Sequence, residues 1–88
     1  MKIVRKENIK PINNAEGEQF YEIIGRGENL GNAIHHSVGH VVVLKGYSTK
    51  KHYHPVAEET YYFIRGNGRM VINNCEYNVK QGDVVLIN

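Results

Sequence analysis

The sequence predicts an all-β fold of short antiparallel strands, and three observations lead there. No segment keeps a helical period over three turns, whereas short runs rich in Val, Ile and Tyr recur along the chain. Glycine and asparagine turn signals separate these runs at close spacing, the pattern of a sandwich or barrel. The chain has 88 residues, enough for one domain with a modest core. A chain of that size buries little more than about 60% of its unfolded surface.

Residues 1–12 alternate loosely, and Pro11 favours an edge strand or an arm over a central strand. Asn13-Asn14 and Glu16-Gly17 are turn signals. Residues 20–24 (FYEII) read as a short strand, and 25–31 (GRGENLG) as a loop. A phosphate cradle does not fit that loop, because no helix pattern follows it. Residues 38–45 (VGHVVVLK) form a strand of mostly β-branched residues, broken by Gly46. Residues 60–64 (TYYFI) are apolar on both faces, as expected of a strand packed between two layers. Gly66-Asn67-Gly68 has the composition of a tight hairpin turn. Strands at 69–72 and 76–79 flank a second hairpin turn at Asn73-Asn74, whose side chains tolerate positive φ. A turn at 80–83 and a strand at 84–87 complete the pattern.

Composition excludes several function classes. The net charge is only +2, and no Lys/Arg cluster is interleaved with aromatics, so no nucleic-acid partner is expected. No apolar run reaches signal-peptide or membrane-span length, so no membrane partner is expected. The single cysteine, Cys75, cannot close an internal disulfide and lacks a cationic neighbour or partner thiol that would mark it as reactive. A cytoplasmic domain is the expectation.

The chemistry concentrates in residues 46–66, GYSTKKHYHPVAEETYYFIRG. On a strand, residues two apart share a face, so His52 and His54 can converge on one point. Pro55 lets the chain turn, and Glu59 at the start of the returning strand can bring a carboxylate to the same point. Glu58 is the alternative inward carboxylate, because 61/63 and 62/64 are both apolar pairs. Two imidazoles and one carboxylate suit a divalent transition metal: Fe, Mn, Ni, Zn or Cu. His40 lies on the strand leading into this region and reads as a hydrogen-bonded sheet histidine. His35 and His36 read as surface loop.

Gly46, five residues, His52-Tyr53-His54, four residues, Glu59, six residues and Gly66 resemble the first cupin motif without a gap. Gly82-Asp83 followed by four aliphatic residues looks like the opening of the second cupin motif. Within that superfamily the chain looks similar to the small single-domain type-2 cupins, grouped with the cupin part of mannose-6-phosphate isomerases. The resemblance implies a double-stranded β-helix (jelly-roll) barrel, with His52, His54 and Glu59 matching three ligands of a metal inside it. It divides the domain into N-terminal strands and loop (1–37), first motif (38–66), inter-motif hairpin (67–82) and the start of the second motif (83–88).

The pattern departs from the family at Asn88, where a proline and later a fourth, histidine ligand would be expected. The sequence therefore reads as a barrel incomplete at its C-terminal side: a fragment, a short cupin completed by dimerisation, or a relic with impaired metal binding. Three functions follow: a metal-dependent isomerase or oxygenase of a small oxygen-bearing substrate, a non-catalytic module holding a sugar-like or small acidic metabolite, or an incomplete domain without activity of its own. Tyr53, Tyr61 and Tyr62 are candidates to line such a pocket; Lys50 and Lys51 read as loop solvation. A homodimer through sheet packing or strand exchange is the expected partner, since strands apolar on both faces need cover.

Overall fold

The computed structural model describes residues 1–13, 17–48 and 58–87, so His52 and His54 lie outside the described residues. The chain forms two compact units, Met1–Lys51 and His52–Asn88. Both are β-structured and antiparallel throughout the described residues, and their helix is confined to two single 3-10 turns, Lys6–Asn8 and Glu28–Leu30. The all-β expectation holds.

The first unit is a three-stranded sheet, β1 (Ile12–Asn13), β2 (Glu18–Ile24) and β3 (Val38–Val43), in the order β1-β2-β3. β1 is the edge strand that Pro11 predicted, reduced to two residues. β2 starts two residues before the expected FYEII run, because Glu18 and Gln19 pair with Val43 and Val42. The β2–β3 register slips between Glu22 and Ile24, which is a β-bulge. Phe20 lies across Gly39: a Cβ there would stand 2.6 Å from Phe20 Cε2, so the bare glycine is what admits the ring. On the other face Tyr21 is opposite His40, and the two rings meet edge-on at 5.8 Å.

The second unit holds two ribbons. β5 (Asn67–Ile72) and β6 (Cys75–Lys80) form a hairpin whose turn is Asn73-Asn74, with φ of 51° and 64°. Two consecutive positive φ values are what a type I′ turn requires, and asparagine tolerates them better than any residue but glycine. β4 (Glu59–Tyr62) pairs with β7 (Val84–Ile87) in the register Glu59↔Ile87 to Tyr62↔Val84. Phe63 and Asp83 extend the ladder: the Phe63 N–H donates to Asp83 O at 2.9 Å, and the Gly82 N–H to Phe63 O at 2.7 Å.

Two expectations are corrected here. Gly66-Asn67-Gly68 is not a hairpin turn joining neighbouring partners: Asn67 already belongs to β5, opposite Lys80, while β4 takes β7 as its partner. Gly66, at φ 82°, instead redirects the chain between ribbons, and its carbonyl accepts the Gln81 N–H at 2.9 Å. The 60–64 run is not covered on both faces either. Tyr61, Phe63, Val85 and Ile87 are half-buried, whereas Tyr62 is 66% and Val84 62% exposed.

Candidate functional site

β4 presents Glu59 at its first position, and strand alternation puts it on the face of Tyr61, Val85 and Ile87. Glu59 is half-buried; Glu58, just before the strand, is exposed. The alternation that left the two carboxylates equivalent in the sequence is broken by burial, which favours Glu59 as the inward carboxylate. Tyr61 and Phe63 continue that face as a tilted ring pair, centroids 6.4 Å apart at 48°. Tyr62 sits on the opposite, exposed face. Tyr53, Lys50 and Lys51 lie outside the described residues, as do His52 and His54.

The strand beside Glu59 is the segment that resembles the second cupin motif. Its entry turn is built from the residues the motif supplies. The Asp83 N–H donates to Lys80 O at 3.0 Å, and the Lys80 N–H donates to Asp83 Oδ2 at 2.8 Å. Gly82, at φ 94°, occupies a conformation that a side chain would strain. Gly82-Asp83 is therefore a turn device that starts β7 in register with β4, and it brings the two motif segments side by side.

Among the described residues no three His, Cys, Asp or Glu side chains cluster as a metal site, and two of the three candidate ligands are outside those residues. The donor set nevertheless fits a divalent transition metal in kind, two imidazoles and one carboxylate.

Two of the remaining histidines lie in loop, as the sequence suggested, and the third is a sheet histidine held, among the described residues, by a ring contact rather than a side-chain hydrogen bond. His35 and His36 are exposed outside the strands. His40 is half-buried in β3 against Tyr21, and burial, followed by the nearby Lys6 charge, pushes its pKa below the ordinary 6.5. Lys6 Nζ stands 4.4 Å above the Tyr21 ring centroid, so one cation pins the N-terminal 3-10 turn to the sheet. Sequence reading missed this Lys6–Tyr21–His40 group, since fifteen residues separate Lys6 from Tyr21 and no spacing rule links them. In the second unit, Arg69, Asn78, Lys80 and Asp83 line an open cavity of about 640 Å³. Arg69 there is paired with Glu76 at 3.1 Å, an exposed ion pair.

These features define a small antiparallel β protein in which a motif carboxylate opens one strand and a second motif segment pairs with it. Residues 39–88 match the Cupin domain family, more than half of the chain, and the chain belongs to that family. The match spans β3 of the first unit and the whole second unit. The chain is also similar to the uncharacterized protein MJ1618 of Methanocaldococcus jannaschii, 33% identical over 89 residues, covering 99% of this chain and 70% of that protein. No solved structure matches the chain significantly.

Proposed function

We propose that this cupin holds a divalent transition metal through His52, His54 and Glu59 and binds a small polar metabolite, sugar-like or acidic, at it. The carrying observation is the placement of Glu59: half-buried, first in β4, and hydrogen-bonded through its strand to the second motif segment. The spacing of His52 and His54 before it supplies the other two donors. A metal held there would supply Lewis-acid chemistry, as an isomerase needs, or, if iron, oxygen chemistry, as an oxygenase needs. Glu59 serves as a ligand, and the Tyr61–Phe63 ring pair on its face offers a wall that excludes water from one side.

That same ring pair favours a second reading, a module that holds the metabolite without turning it over. Fold does not separate the two readings. The motif spacing supports a reading of the chain as one of the mannose-6-phosphate isomerase-like cupins, and a single free cysteine, Cys75, is consistent with a cytoplasmic setting. A homodimer completes the proposal. Tyr62, Ile64, Val84 and Leu86 are each more than half exposed on one face of the β4–β7 ribbon, an apolar surface that a second copy would cover.

Elemental analysis of the purified protein tests the site. Near-stoichiometric metal is expected, lost in His52→Ala/His54→Ala and strongly reduced in Glu59→Ala, with Glu58→Ala unchanged. Full metal retention in the double histidine variant refutes the assignment. Ligand-dependent thermal stabilisation across sugars and small acids, with product assays alongside, then separates enzyme from binding module.

A further inference from the structure

The first unit contains a cavity of about 290 Å³ between β2, β3 and the loop that joins them. Its lining is mixed: Phe20 and Ile24 from β2, Leu30 from the loop's 3-10 turn and Val38 from β3 are apolar, and Glu22, Arg26 and Ser37 are polar. The bulge between Glu22 and Ile24 opens the ladder here, and the bare Gly39 leaves room for the Phe20 ring. The loop forming the rim is tied internally. The Gly25 N–H donates to Leu30 O, the Asn32 N–H to Gly27 O and the Ala33 N–H to Gly25 O, each at 2.9 Å. Gly27, Gly31 and Asn32 all take positive φ to make this possible. A rim held by its own backbone is pre-formed, as ligand pockets usually are.

Two charges of opposite sign, Glu22 and Arg26, line the same cavity and are both exposed. Among the described residues neither is engaged in an ion pair or side-chain hydrogen bond, with each other or with a third group. A pocket with an apolar patch, one unpaired anion and one unpaired cation is chemically complementary to a zwitterion with an apolar body. A singly charged ligand would leave one of the two without a partner. The volume lies at the small end of ligand pockets, about 300 Å³.

We propose that this cavity binds an α-amino acid with a branched aliphatic or aromatic side chain. Its ammonium faces Glu22, its carboxylate takes the Arg26 fork, and its side chain lies against Phe20, Ile24, Leu30 and Val38. The proposal stands apart from the metal reading, because every residue it uses belongs to the first unit.

Amide NMR of the intact chain tests it, titrating L-leucine and L-phenylalanine beside glycine, 4-methylpentanoate and isopentylamine. Saturable millimolar shifts at Gly25, Leu30 and Gly39 are expected for leucine or phenylalanine. Glycine, which lacks the apolar body, and the two singly charged analogues should bind at least about tenfold more weakly, close to 1.4 kcal/mol. Arg26→Ala and Glu22→Gln, both exposed substitutions that leave the fold intact, should each weaken leucine binding by a similar factor. His52→Ala/His54→Ala should leave it unchanged. No saturable shift, equal binding of glycine, or leucine binding undiminished in both the Arg26 and Glu22 variants overturns the proposal.

Discussion

The two ribbons of the second unit are both antiparallel strand pairs, yet they solve different problems. The β5–β6 hairpin is local. Its strands are joined by Asn73-Asn74, and one of its faces carries Asn67, Arg69, Glu76, Asn78 and Lys80 with Val71 as the single apolar member, a mostly polar surface suited to water. The other face places Val79, the one buried hydrophobic side chain among the described residues, opposite Gly68. The β4–β7 ribbon is non-local, closing over the whole hairpin between its strands, and it is apolar on both faces. One of those faces is half-buried and bears Glu59; the other stays open. A ribbon with one polar face is complete by itself as far as water is concerned. A ribbon with two apolar faces asks for a second layer, and that asymmetry is why the proposed homodimer is assigned to β4–β7 rather than to β5–β6.

The sharpest way to break this comparison is a charge on each ribbon. Val85→Asp, facing Tyr61 on the half-buried side, should destabilise the second unit by about 2–4 kcal/mol in urea unfolding. Val71→Lys, opposite Glu76 on the polar face of β5–β6, should stay within about 0.5 kcal/mol. Equal costs would mean that the two ribbons are equally covered. A second test is association. Val84→Lys/Leu86→Lys should raise the dimer dissociation constant by at least about a hundredfold, roughly 2.7 kcal/mol, in analytical ultracentrifugation, with secondary structure retained. Unchanged association would move the dimer contact elsewhere.

Smaller effects test the local devices. Asn74→Val forces a β-branched residue into positive φ and should cost about 1–2 kcal/mol, whereas Asn74→Gly should be close to neutral, read as unfolding midpoints. In the first unit, His40 gives a pH dependence of known sign. Its folded pKa is below 6.5, mainly from burial and then from Lys6, so the folded chain prefers the neutral imidazole. The stability this contributes is present above pH 6.5 and is lost as the pH falls from 6.5 through the folded value. His40→Gln should remove that slope, and Lys6→Met should shallow it. A steeper loss on acidification in either variant contradicts the placement.

Much of this was legible in the residues. Turn residues at 73–74 and 80–83 announce their geometry because only a few side chains accept positive φ, and the structure uses them as read. The cupin spacing is equally legible, since Gly46, His52, His54, Glu59 and Gly66 must agree in both type and interval. What could not be read was pairing. Gly66-Asn67-Gly68 looks like a hairpin turn by composition, yet Asn67 pairs with Lys80 in β5–β6 while β4 finds its partner in the more distant β7. The choice between Glu58 and Glu59 was hidden for a related reason. Alternation distinguishes faces only when one of them is polar, and here both are apolar until tertiary packing covers one.

The sequence by itself thus determined the all-β class, the turn positions and the family, because each depends on short-range sterics or on residue identity at fixed spacing. Tertiary structure decided that β4 takes β7 and not its neighbour, that Glu59 rather than Glu58 is half-buried, and that Lys6, Tyr21 and His40 meet. Those outcomes depend on which apolar faces find one another, a long-range competition with no local spelling.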